Sequence, residues 1–145
     1  MNKTIEIEIK LINKNASIPF KKHDNDIGFD ISSCEKVKLL SKEVTLVNTG
    51  LAINLPYGVG GFVLPRSGLS TKHKITLINS PGLIDPGYTG ELLIPLINLS
   101  DFDYQVDVED RIAQLVLINV QNANFKIVDK LPISDRSNKG FGSTG

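Results

Sequence analysis

The 145-residue chain has no tryptophan, one methionine, two histidines (His23 and His73) and a single cysteine, Cys34. One cysteine excludes an intramolecular disulfide, and so few thiols and imidazoles argue against a zinc site of the usual ligand type. Cys34 reads as a half-buried thiol with no task. Charge of either sign is not in excess: 16 basic side chains face 16 acidic ones. The molecule as a whole therefore has no field to attract a nucleic-acid polymer or an anionic membrane, and any anion it binds is held by local groups. Long apolar runs are missing too. Residues 1–8 alternate charged and apolar side chains where a signal segment would be uniformly apolar, so the expected location is cytoplasmic. The length suits one domain that buries its core without disulfides.

What is present is a period of two. Ile5, Ile7 and Ile9 alternate with Glu6, Glu8 and Lys10 in a half-buried strand running from Thr4 to Lys10. Asn13 to Asp26 is polar, carries Pro19 and reads as a surface loop. Ile27 to Ile31 resumes the alternation around Asp30. Glu35 to Leu40, Glu43 to Asn48 and Leu51 to Leu55 read as short strands, with turns at Asn48-Thr49-Gly50 and Pro56-Tyr57-Gly58. Gly58 to Leu64 begins with glycines but lacks the helix and Lys-Ser/Thr of a phosphate loop, so it reads as a bulged strand. Pro65 to Lys72 opens the only helix, and Ile75 to Ile78 is extended. Leu92 to Leu99 and Arg111 to Val120 are apolar enough for central strands, with Phe102 to Val108 and Phe125 to Val128 filling the space around them. The spacing is that of an all-β fold. Residues 136–145 hold three glycines, two cations and one Phe, and read as a mobile arm after a domain of residues 1–135.

The densest stretch is Asn79 to Glu91. Pro81-Gly82 and Pro86-Gly87 each suit a tight turn, and Leu83 and Ile84 between them suit a strand that delivers Asp85 at a bend, with Tyr88 facing the same region. Such a carboxylate is expected to be poorly solvated and prepared to act as a base. An ordinary hairpin with Asp at a turn explains the segment as well. Taken singly, the other pieces also have ordinary readings: Asp30 as a turn acid, Arg66-Ser67-Gly68 as a helix start, Gln114 as a polar edge residue, and the arm as a frayed terminus.

Taken in order, Arg66-Ser67-Gly68-Leu69, the run from Gly82 to Glu91, Asp110-Arg111-Ile112-Ala113-Gln114 and the run from Gly140 to Gly145 resemble the motifs of the trimeric deoxyuridine triphosphate nucleotidohydrolases, the dUTPase family. With Asp30, five motifs match between Ile27 and Gly145. The resemblance implies a jelly-roll-type β-barrel with one short helix, assembled as a homotrimer whose sites each draw on three chains. It implies hydrolysis of dUTP to dUMP and pyrophosphate with Mg²⁺ held mainly by triphosphate oxygens, which keeps uracil out of DNA and supplies dUMP for thymidylate synthesis. Carried onto this chain, Asp85 is the base for the attacking water and Gln114 helps to hold that water or the α-phosphate. Arg66, Ser67 and Gly68 meet the phosphates at a helix start, and Asp30 holds a water of the Mg²⁺ shell. Asn79 with the backbone of Gly82 and Ile84 imitates a base-pairing partner for uracil, and Tyr88 packs beneath the deoxyribose. Phe141 stacks on the base while Arg136 and Gly142 contact the ligand as the arm closes.

The chain departs from the family pattern at Ser137, Lys139 and Glu109, positions where glycine is usual. Two rivals share the fold. A dCTP deaminase would place its catalytic Glu ten residues beyond Asp85, where this chain has Pro95. A dUTP-responsive module that binds a regulatory protein is the other, with the Asn13 to Asp26 loop as a candidate surface.

Overall fold

The computed structural model describes residues 4–134. Among them the chain forms ten strands and one helix: β1 (Glu8–Leu11), β2 (Phe29–Ser32), β3 (Val37–Leu39), β4 (Val44–Asn54), β5 (Val59–Leu64), α1 (Ser67–His73), β6 (Ile75–Leu77), β7 (Gly82–Ile84), β8 (Glu91–Asn98), β9 (Tyr104–Val106) and β10 (Arg111–Asn119). Alternation explains why the longer ones are strands. On β8, Leu92, Ile94, Leu96 and Asn98 face inward while the residues between them are more exposed. Pairing is antiparallel throughout, in two four-stranded sheets ordered β1-β4-β8-β6 and β2-β10-β5-β7 and a ribbon of β3 and β9. The fold is thus all-β with one short helix, and the sheets do not close into a continuous barrel. Both four-stranded sheets feed one core that includes Ile31, Leu51, Ile94, Leu96 and Ile112, each no more than 1 % exposed. Each such side chain contributes about 1.5–3 kcal/mol by leaving water. No helix among the described residues is long and apolar enough to cross a membrane.

Several expectations are corrected. Asn48-Thr49-Gly50 is no turn but an irregularity inside β4, where the register with β8 shifts between Asn48 and Ala52. Gly50 takes φ +67°, open to glycine at little cost, and a Cβ there would also meet the Cβ atoms of Asn13 and Ala16 at 2.7 and 2.9 Å. Side chains satisfy the interrupted ladder: Glu35 accepts from the Asn48 backbone at 2.8 Å, Glu91 accepts from the Gly50 backbone at 2.9 Å, and Thr49 donates to the Leu92 carbonyl at 2.7 Å. β5 carries no bulge; it pairs with β10 in unbroken register from Val59↔Asn119 to Leu64↔Gln114. Cys34 is fully buried, and burial, reinforced by the charges of Glu91 and Glu35, pushes its thiol pKa up. Phe125 to Val128 do not fill the space around the central strands. Phe125 is 99 % and Ile127 98 % exposed, because β5 and β2 already flank β10 and no further strand follows it among the described residues.

Candidate active site

The hairpin read from sequence forms, with its first bend one step earlier than expected. The chain turns at residues 78–81, with a cis Ser80–Pro81 peptide, and Gly82 is already in β7. There Gly82 pairs with Val63 and Ile84 with Gly61 on β5. Gly82 is buried, and its missing Cβ leaves room for the Asn79 amide, which a methyl group would approach to 3.2 Å. After β7 comes Asp85, then the Pro86-Gly87 turn, closed by the Tyr88 N–H donating to the Asp85 carbonyl at 3.1 Å, with Gly87 at φ +82°. The Tyr88 hydroxyl donates to the Glu91 carbonyl at 3.0 Å, and its ring lies so close to Gly90 that any side chain there would strike it.

These residues line a cleft of about 200 Å³ that brings together Asn79, Gly82, Ile84, Asp85 and Tyr88, with Leu92 and Pro95 behind them. The expectation of a poorly solvated Asp85 is corrected: it is exposed in the single chain, since Ile84 is the last buried residue of β7 and the turn leads away from the core. β7 is the edge of its sheet. Its outward peptide groups therefore have no ladder partner among the described strands.

A second concavity, a groove of about 520 Å³, collects Gly28, Asp30, Arg66, Ser67, Gly68, Arg111 and Gln114, with Lys22 and Asp26 also in its lining. Asp30 on β2 lies opposite Gln114 on β10. Its two carboxylate oxygens accept from Arg66 Nε at 2.8 Å and Arg111 Nη1 at 3.1 Å. Gln114 Nε2 donates to the Pro65 carbonyl at 2.9 Å, and Gln114 lies directly against Gly28. Arg66 is the N-cap of α1, so Ser67 and Gly68 are its first residues. Lys72 and His73 occupy its last turn, where cations suit the helix dipole. The groove thus sets Lys22, Arg66 and Arg111 against two carboxylates, and it favours an anion.

The cleft and the groove have no lining residue in common. The residues named from sequence therefore fall into two groups on one chain. Arg136, Phe141 and Gly142, with Ser137 and Lys139, lie outside the described residues. Sequence reasoning assigned no role to Arg111. Its only signal was its place in the Asp-Arg-Ile-Ala-Gln run.

No three His, Cys, Asp or Glu side chains gather into a metal cage among the described residues. A magnesium ion carried by phosphate oxygens would need no such cage. Each Asp30 oxygen spends one acceptor position on a guanidinium, and a carboxylate has about four, so Asp30 retains capacity for a water of such an ion.

A family model described as dUTPase matches residues 14–145. The deoxyuridine 5'-triphosphate nucleotidohydrolase of Clostridium kluyveri is 43 % identical over 141 residues, covering 97 % of this chain and 99 % of its own. That of Thermobifida fusca is 42 % identical over 143 residues, covering 98 % and 80 %. Among solved structures, the Staphylococcus bacteriophage 80alpha dUTPase with dUPNHPP superimposes with a TM-score of 0.92 at 31 % identity, covering 98 % of this chain and 99 % of that one. With Asp85, Tyr88, Arg66, Ser67 and Gln114 standing in two shaped concavities of a shared fold, the chain belongs to the dUTPase family.

Proposed function

We propose that this protein hydrolyses dUTP to dUMP and pyrophosphate at sites built between the subunits of a homotrimer. The observation that carries the reading is the open edge of β7 running into Asp85, with Tyr88 beside it. The edge peptides of Gly82 to Ile84 and the Asn79 amide offer donors and acceptors for the pairing edge of uracil. Cytosine, which exchanges donor and acceptor at two of the three positions of that edge, would leave them unpaired in the complex. The Tyr88 ring, fixed through its hydroxyl, supports the deoxyribose and leaves no hydration for a ribose 2′-hydroxyl.

Asp85 stands where the base and sugar end and the phosphates begin. Its carboxylate orients a water towards the α-phosphorus and takes its proton as the bond forms, and pyrophosphate departs on the opposite side. Gln114 holds the same water or an α-phosphate oxygen. Arg66, Ser67 and the Gly68 backbone contact the polyphosphate with a cation, a hydroxyl and an N–H donor. Magnesium bound by the phosphates would neutralise charge that develops on the leaving group, with Asp30 holding one of its waters. Because the base-binding cleft and the phosphate groove lie apart on one chain, a second subunit brings them together.

The test is pyrophosphate release from dUTP, dCTP, dTTP and UTP, with Mg²⁺ or a chelator, together with ammonia release from dCTP and sedimentation to obtain the oligomeric state. The expected result is release from dUTP alone, lost with the chelator, by a trimer. Ammonia from dCTP would overturn the reaction. Tight dUTP binding without release would make the chain a nucleotide-responsive binding module.

A further inference from the structure

Side chains alternate along a strand, so Arg111 and Gln114, three residues apart on β10, would face opposite ways if the strand were regular. They line the same groove. The cause is a register shift in the pairing with β2: Arg111 lies opposite Ser32 and Ala113 opposite Ile31, so Ile112 is an extra residue on β10. Ile112 and Ala113 are both buried, at 1 % and 0 % exposure, which a regular strand with one face to the core would not do for neighbours. The bulge turns Arg111 back to the face of Gln114.

Once there, Arg111 meets the other side of the carboxylate that holds Arg66. The Asp30 side chain is 15 % exposed, that of Arg66 26 % and that of Arg111 39 %, so the pairs are partly withdrawn from solvent. Arg66 Nη1 also donates to the Arg111 carbonyl at 3.4 Å. Arg66 is therefore fixed at two donors by two elements, and its remaining donors have no partner among the described residues. One carboxylate is shared by two guanidiniums, which leaves a positive charge unmatched. A long cation held in place before the ligand arrives loses less freedom on binding than a loose one.

We propose that Arg111 is a positioning residue for the phosphate groove. Acting through Asp30, it sets the Arg66 guanidinium for the polyphosphate of the substrate, and the bulge at Ile112 is the backbone device that puts it there. The inference rests on the reading of this groove as the triphosphate site.

Calorimetric titration of the full-length protein with dUPNHPP and with dUMP tests it in wild type, Arg111→Ala, Arg66→Ala, the double variant and Arg111→Lys. The expected result is that Arg111→Ala weakens dUPNHPP about tenfold, leaves dUMP within about twofold, and adds nothing in the Arg66→Ala background. Arg111→Lys recovers most of the loss. Additive losses in the double variant would overturn the proposal in favour of a direct phosphate contact by Arg111. Parallel weakening of both ligands, or no weakening, would overturn it as well. If Arg111→Ala does not fold, Arg111→Gln replaces it in the same cycle, since it keeps a donor for Asp30 but no charge. Failure of the wild type to bind dUPNHPP would refute the proposed function itself, and normal wild-type binding with an unaffected variant would refute this inference alone.

Discussion

Gly28→Ala adds a single methyl group at the wall of the phosphate groove, and the geometry says where the strain goes. The new Cβ would overlap Gln114 Oε1 and lie 3.1 and 3.2 Å from its Cδ and Cβ, closer than the roughly 3.5–4.0 Å that carbon atoms prefer. Gly28 is not among the glycines with positive φ, so alanine suits the backbone, and the nearest conflict is with Gln114. The flexible amide yields and gives up its 2.9 Å bond to the Pro65 carbonyl. That loss is about 0.5–1.5 kcal/mol, and restricting the unfolded chain returns about 0.4–1 kcal/mol. The two nearly cancel, so the melting temperature should move by no more than a few degrees, on the order of 2–4 °C per kcal/mol for a domain near this size. Activity should not be spared. A group displaced by about an ångström at the reacting centre can cost on the order of 100-fold. Pyrophosphate release should therefore fall by one to two powers of ten, roughly, in a protein that melts normally. The control is Gly28→Ala in a Gln114→Ala background, where the amide is gone and only the Cβ remains at 3.2 Å, so little further loss is expected. Wild-type turnover in Gly28→Ala, or an undiminished loss in that background, would refute the reasoning.

Asp85→Asn should bind dUPNHPP within a few fold of wild type yet turn over dUTP about two or more powers of ten more slowly in single-turnover assays; near-normal turnover would remove Asp85 from its role. Tyr88→Ala should lower the ratio of kcat/KM for dUTP over UTP, and an unchanged ratio would place sugar selection elsewhere. Asn98 is 0 % exposed and donates to the Leu39 and Phe102 carbonyls at 3.0 and 2.8 Å while accepting from Ser100. Asn98→Ala should cost about 3 kcal/mol or more in denaturant unfolding, because it strands buried carbonyls. Glu109 has φ +71°, a left-handed conformation that favours glycine. Glu109→Gly relieves about 1–2 kcal/mol of left-handed strain against about 0.5–1 kcal/mol of added chain entropy, so unfolding should show a gain of roughly half to one kcal/mol.

The sequence alone located most of the strands, the helix after Pro65 and the residues that crowd around Asp85, because these depend on local chemistry, although the first strand begins only at Glu8 where alternation suggested Thr4. Alternation of apolar and polar side chains names a strand wherever it lies, and Pro-Gly pairs bend a chain whatever surrounds them. It misread Asn48-Thr49-Gly50, since a turn and a bulge use the same residues and only the partner strand tells them apart. Phe125 and Ile127 suggested core by type, but burial depends on whether another element remains to cover them, and β10 was already flanked on both sides. The division of the site into a cleft and a groove, and the meeting of Arg66, Asp30 and Arg111, were decided only by tertiary structure. Strict alternation sends Arg111 to the opposite face from Gln114. One extra residue in the pairing of β10 with β2, set between segments some 80 residues apart, brings it back.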